Sequence, residues 1–160
     1  MPILYARYVD DIILLVESED HITKLIEEME NQSVFNFIYE IGYNKLPFLD
    51  VNIKIHNDLF ETSVHKKLTS TGDMLNYLSE FSQRYKNGVI TTMLHTAYKI
   101  SSNSIIFQSD VERIKQLFVN NNYPMNIISD RIEKFLNTQC NNMKILIGNN
   151  KEQLELFYEN

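Results

Sequence analysis

Apolar positions along this chain follow two different periods, and the changes of period divide it into elements. Residues 3–8 and 12–16 are short runs rich in Ile, Leu, Val and Tyr, separated by Val9, Asp10 and Asp11. That pattern predicts two strands joined by a tight turn. Ser18 followed by Glu19 and Asp20 suits a helix N-terminus, where a hydroxyl can accept from free amides and carboxylates meet the positive end of the dipole. Ile22, Leu25, Ile26 and Met29 then recur at helical spacing, leaving Glu27, Glu28 and Glu30 to water. The period drops to two at Phe35, Phe37, Tyr39 and Ile41, which predicts a half-buried strand. After Pro47, Leu49, Val51, Ile53 and Ile55 alternate with Asp50, Asn52, Lys54 and His56 as in a further strand. Asn57-Asp58 would turn that strand back into Phe60, Thr62 and Val64.

Beyond Lys67 the pattern becomes helical. Val89, Ile90, Met93, Leu94 and Ala97 form one apolar stripe. Ser109 with Glu112 three residues on fits a capping box that opens a second helix, with Val111, Ile114, Leu117 and Phe118 on its inner face. Asn120, Asn121 and Asn122 break it, and Pro124 suits the first turn of a third helix running through Leu136. A short polar connection between two helices has the outline of a helix-turn-helix, which is either a plainly packed pair or a DNA reader. The expected fold class is therefore α+β. Residues 1–65 form antiparallel strands with one packing helix, and residues 66–137 an all-helical part. Residues 138–160 read as a polar tail, with a short helix around 151–157.

Composition fits a globular chain: 160 residues, 44% hydrophobic and 22% charged, with nine Phe and nine Tyr. No run of about 18 apolar residues predicts a membrane span, and the N-terminus lacks the basic and apolar regions of a secretory signal. An intracellular location is expected, with no choice between nucleus and cytoplasm. Cys140 is the only cysteine, which excludes an internal disulfide. The net charge of −6 is unevenly spread. Residues 1–64 carry 4 basic and 12 acidic side chains, whereas Lys66, Lys67, Arg84, Lys86 and Lys99 outnumber Asp73 and Glu80 across residues 65–102. The middle of the chain is thus suited to phosphates, and the N-terminal part to cations.

Adjacent carboxylates between apolar strands repel one another unless a cation offsets them. Magnesium favours hard oxygen ligands, and two-metal phosphoryl transfer uses carboxylates held on rigid hairpins. The Tyr8-Val9-Asp10-Asp11 string, with Tyr5 and Arg7 before it and the apolar run after it, resembles the YVDD signature of reverse transcriptases. Four further pieces are similar, in order, to the region after that turn in Penelope-like retroelements. They are Phe37-Ile38-Tyr39-Glu40 with Leu46-Pro47-Phe48-Leu49-Asp50, then Lys67-Leu68-Thr69-Ser70-Thr71, then Leu75-Asn76-Tyr77-Leu78-Ser79, then Lys86-Asn87-Gly88-Val89-Ile90. Asn122-Tyr123-Pro124 falls where that family carries a similar turn. The pattern departs at Phe81 and Ser82, where a His-Pro pair is common, and at Thr96, where an arginine is common.

The resemblance, which covers roughly residues 4–137, implies a C-terminal palm followed by a thumb of an RNA-directed DNA polymerase. It implies Asp10 and Asp11 as catalytic, metal-holding residues, with Mg2+ or Mn2+ as cofactor in the intact enzyme but not stably bound by this chain. Tyr8 would lie by the primer end, and the segment from Leu46 to Ile53 would resemble the primer grip. Lys66, Lys67, Thr69, Thr71 and Lys86 would contact a template–primer duplex. The alternative is a non-enzymatic helix-turn-helix-like module that binds nucleic acid or protein. The family's other catalytic aspartate and its fingers lie upstream of the YVDD turn, so this sequence alone holds half of a metal pair. Its strand edge would be left open for pairing with another chain. The chain is expected to lack polymerase activity by itself. Primer extension with magnesium and a template, abolished by Asp10→Ala, would contradict that.

Overall fold

The computed structural model describes residues 2–34, 36–57, 59–67 and 71–147, and the side chains of these up to residue 141. The fold is α+β: two small antiparallel sheets and one helix come first, and three helices follow. The chain divides into two compact units, residues 1–65 and 66–160.

In the first unit, β1 (Leu4–Tyr8) pairs antiparallel with β2 (Asp11–Leu15), with Tyr8 opposite Asp11. The turn is therefore only Val9 and Asp10, and Asp11 belongs to the strand. Val9 sits at φ 56°, a left-handed conformation that a β-branched side chain adopts at a cost of about 1–3 kcal/mol. Helix α1 (Glu19–Asn31) follows Ser18, with Ile22, Leu25, Ile26 and Met29 half-buried. Tyr43 donates to the Glu19 carboxylate at its start, which holds the Tyr43 phenol above its usual pKa.

Residues 36–42 do not form the expected strand. The Phe37 amide donates instead to Glu30 Oε1 at 3.0 Å, a side-chain acceptor on α1 that takes the place of a ladder partner. Phe35, the first residue of that expected strand, lies outside the described residues. The next strand also differs. Leu49 (φ 53°) and Asp50 form a tight turn between β3 (Lys45–Phe48) and β4 (Val51–His56), so Leu49 ends one hairpin arm rather than sharing a face with Val51. Pro47 is tolerated because β3 is an edge strand of the β3-β4-β5 sheet and a ladder donor can be missing there. Asn57 (φ 51°) leads from β4 into β5 (Leu59–Val64), with His56 opposite Leu59; Asp58 lies outside the described residues.

Among the described residues, the buried apolar side chains all belong to the second unit. Helix α2 (Gln83–Ile100) buries Lys86, Ile90, Leu94 and Ala97, one stripe at helical spacing. Helix α3 (Ser104–Asn120) contributes Ile114 and Phe118, and Tyr123, Ile128 and Phe135 complete the core. Phe135 on α4 (Met125–Ile147) stands edge-on to His95 at 4.8 Å and to Tyr98 at 5.9 Å.

Two boundaries differ from expectation. Helix α3 opens five residues before Ser109, because the Asn103 side chain accepts from the Ile106 amide at 2.9 Å and caps it there. Ser109 and Glu112 lie inside the helix. Helix α4 continues past Leu136 to Ile147, through the start of the expected polar tail; the expected short helix at 151–157 lies outside the described residues.

The connection between α3 and α4 is made by four residues with four separate jobs. Asn122 takes φ 66°, and its amide bonds the Val119 carbonyl, while the Tyr123 amide bonds the Phe118 carbonyl at 3.0 Å. This is a Schellman ending, with Asn in the left-handed position usually given to Gly. The apolar contact that accompanies such an ending is present as an edge-on Phe118–Tyr123 pair at 4.8 Å. Pro124 stops the chain from continuing helically, and its carbonyl then accepts from Ile127 and Ile128 to start α4. Asn121, 7% exposed, has the fourth job. Its Nδ2 donates to the carbonyls of Leu117 (2.9 Å) and Gly72 (3.0 Å), and its Oδ1 accepts from the Met74 amide at 3.3 Å. Its own carbonyl accepts from the Tyr77 amide at 3.0 Å. A strap with no helix or strand, residues 71–82, is thereby tied to the turn. Gly72 reaches that tie at φ 82°, a conformation that strains any side chain.

Candidate nucleic-acid interface

The strap closes on α2 through a buried cation. Lys86 is 7% exposed; its Nζ donates to the Ser79 carbonyl at 2.6 Å and lies 5.0 Å from the centre of the Tyr77 ring. Tyr77 in turn packs against Tyr123 at 5.2 Å. Burial, helped by the neighbouring Tyr77 phenol, pushes the Tyr123 phenol above its usual pKa. Lys86 was expected to meet phosphates. The structure gives it another role, because a side chain whose charge is taken up by a carbonyl and a ring inside the fold is not presented to a ligand.

The other residues expected at a nucleic-acid site face solvent. Lys66 and Lys67 open the second unit and are exposed. Thr71 is exposed, with its Oγ1 accepting from the Asp73 amide at 3.3 Å, and Thr69 lies outside the described residues. In the first unit Tyr8, Asp10 and Asp11 are all exposed around the β1–β2 turn. Arg7 Nε donates to the Val9 carbonyl at 2.7 Å and braces that turn.

Asp10 and Asp11 are consecutive, and no group of three or more His, Cys, Asp or Glu that could hold a metal ion occurs among the described residues. Two carboxylates by themselves are too few for a two-metal centre. The described residues do not fit that centre. β1 and β2 form a two-stranded sheet in which Leu4, Tyr5 and Tyr8 are exposed, as are Ile3 before it and Val9 in its turn.

A family model described as an animal helix-turn-helix domain matches residues 73–133. No curated protein and no solved structure matches the chain. The matched segment is well under half of the chain, and it falls wholly within the helical unit. It begins on the strap beside Gly72 and Met74, takes in α2, α3 and the Asn121–Pro124 turn, and ends inside α4. Most of the strap, from Asp73 onward, thus falls inside the matched segment. No described helix is long and apolar enough to cross a membrane.

The charges of this segment divide by helix. On α3, Asp110 is buried and pairs with Arg113 at 2.9 Å while accepting from Ser101 Oγ at 3.2 Å, which fixes the α2–α3 corner. Lys115 pairs with Glu112 at 3.3 Å, and on α4 Lys134 pairs with Asp130 at 2.8 Å. Arg84 and Lys99 on α2 are exposed and form no ion pair among the described residues. The sequence counts both in its basic middle stretch but does not single them out as contact residues, because that depends on which neighbours are already paired.

If Lys86 is structural, Lys86→Met should destabilise the helical unit by about 1–2 kcal/mol, since the Ser79 carbonyl loses a charged donor. The salt dependence of nucleic-acid binding should stay as it was. Equilibrium unfolding and a binding titration on the same variant check both, and a flattened salt slope on an undiminished fold would return Lys86 to the phosphates.

Proposed function

We propose that the chain is a nucleic-acid-binding module whose helical unit engages duplex nucleic acid and which has no catalytic activity of its own. The observation that carries this reading is the helix-turn-helix match over residues 73–133, lying on a three-helix core with its strap locked in place. Such modules hold a duplex chiefly through phosphate contacts, which fix orientation and make affinity fall steeply with salt. Lys66 and Lys67, at the start of the same unit, are positioned in sequence to add to those contacts.

A second reading is supported by the ordered motifs of the sequence. In it the chain descends from the palm and thumb of a Penelope-like reverse transcriptase, and its duplex is a template–primer. The β1–β2 hairpin, with Asp10 and Asp11 exposed at its turn, would be the remnant of the site that holds Mg2+ or Mn2+. The open edge of β1 or β2 would pair with a strand of another chain.

Binding of the full chain to a labelled duplex, followed across salt concentration, separates nucleic-acid binding from a purely protein-directed role. The expected result is measurable binding at low salt whose affinity falls log-linearly with salt. Lys66→Gln with Lys67→Gln should make the slope shallower by about one to two, near one for each phosphate no longer neutralised. No binding at low salt would sink the reading and favour a protein partner.

A further inference from the structure

We propose that the outer face of α2, rather than α3 or α4, is the surface laid against the backbone of a nucleic-acid duplex, with Arg84 and Lys99 meeting phosphates and Gly88 at the point of closest approach. This inference rests on the nucleic-acid-binding reading of the helical unit and specifies where on it the duplex sits.

Arg84, Gly88, Thr92, His95 and Lys99 are all exposed and follow one another at spacings of three or four residues, so they form one stripe along the helix. The stripe lies opposite the buried stripe of Lys86, Ile90, Leu94 and Ala97. At about 1.5 Å per residue it runs roughly 22 Å from Arg84 to Lys99, long enough to meet more than one phosphate along a duplex. Helix α2 contains no Asp or Glu at all. The other helices of the unit carry acids among their bases: Asp110 and Glu112 stand with Arg113 and Lys115 on α3, and Asp130 and Glu133 with Arg131, Lys134 and Lys144 on α4. In a helix-turn-helix the second helix of the pair commonly enters the groove. Here that helix would bring carboxylates to a polyanion, whereas α2 brings only cations and neutral groups.

Gly88 is the second observation. A Cβ placed there meets no atom within 4 Å, so nothing inside the protein requires a glycine. Glycine in a helix interior is nonetheless unfavourable relative to alanine. Its position in the middle of the carboxylate-free stripe gives that choice a reason, since a bare backbone lets another backbone approach closely. Tyr85, 60% exposed and stacked on Phe81 at 5.5 Å, adds an aromatic edge beside the stripe.

The test uses the full chain and a short fluorescein-labelled DNA duplex, titrated by anisotropy at several salt concentrations. Joint Arg84→Gln and Lys99→Gln substitution should weaken binding about tenfold or more and lower the log–log salt slope by about two. Gly88→Leu should weaken binding about tenfold while the melting temperature holds or rises, because leucine is the better helix former. That opposite pair of changes is not produced by a merely structural glycine. Lys115→Gln and Lys134→Gln should stay within about twofold of wild type, their charges being already paired. Wild-type binding that is insensitive to the α2 changes, or that disappears with the α3 or α4 changes instead, overturns this inference and leaves the general reading intact. Tighter binding to a single strand than to the duplex also overturns it. Failure of the wild-type chain to bind at all removes the reading beneath it.

Discussion

The helical unit depends on one buried amide. Asn121 sits where α3 ends, and burying a primary amide is unfavourable unless its donors and acceptor are all engaged. Here they are: two donors reach the Leu117 and Gly72 carbonyls and the oxygen takes the Met74 amide. One side chain therefore closes the end of a helix and fastens a segment nearly fifty positions away in the sequence. Neither aspartate nor leucine could do this, the first lacking donors and the second lacking both donors and acceptor. With the strap fixed there, Tyr77 packs against Tyr123, and Lys86 finds both its carbonyl and its ring. The geometry of α2 relative to the α3–α4 turn follows from that chain of contacts.

The same arrangement explains how a chain of net charge −6 can have a surface suited to an anionic polymer. Most of the acidic excess belongs to residues 1–64. Within the helical unit, Asp110, Glu112 and Asp130 are each taken up by a neighbouring base one turn away. The two exposed pairs, Glu112–Lys115 and Asp130–Lys134, add little stability, about 0–1 kcal/mol each. Their effect is to cancel local field on α3 and α4, so that the unopposed cations of α2 dominate its outer face. Total charge would have ruled this out; its distribution does not.

Much of this was legible in the sequence. The helical stripes of α1 and α2, the β1–β2 hairpin and the break at Asn120, Asn121 and Asn122 follow from spacing and side-chain type. The errors share a cause, which is that a local pattern can be satisfied by a partner distant in sequence or by a different turn. Phe37 alternates as in a strand, but Glu30 supplies its acceptor. Leu49 continues an apolar alternation, yet it turns the chain at positive φ. Ser109 and Glu112 match a capping box, although Asn103 had already started the helix. Lys86 looked like one of several exposed bases until the strap was folded over it. Asn121 itself read only as a helix breaker, because its partners at Gly72 and Met74 are invisible without the fold.

Everything in the helical unit turns on whether the Asn121 amide holds the strap to the α3–α4 turn. Residue-resolved amide hydrogen exchange on Asn121→Ala measures this most directly, since it reports the strap and the helices separately. Leaving the Gly72 and Leu117 carbonyls and the Met74 amide without partners should cost about 2–4 kcal/mol. The amides of Met74 and Tyr77 should lose nearly all their protection, and Ile90, Leu94 and Ile114 should lose part of theirs. Protection at Met74 and Tyr77 that matches wild type would show that the strap is held by something else and would contradict the central role of Asn121.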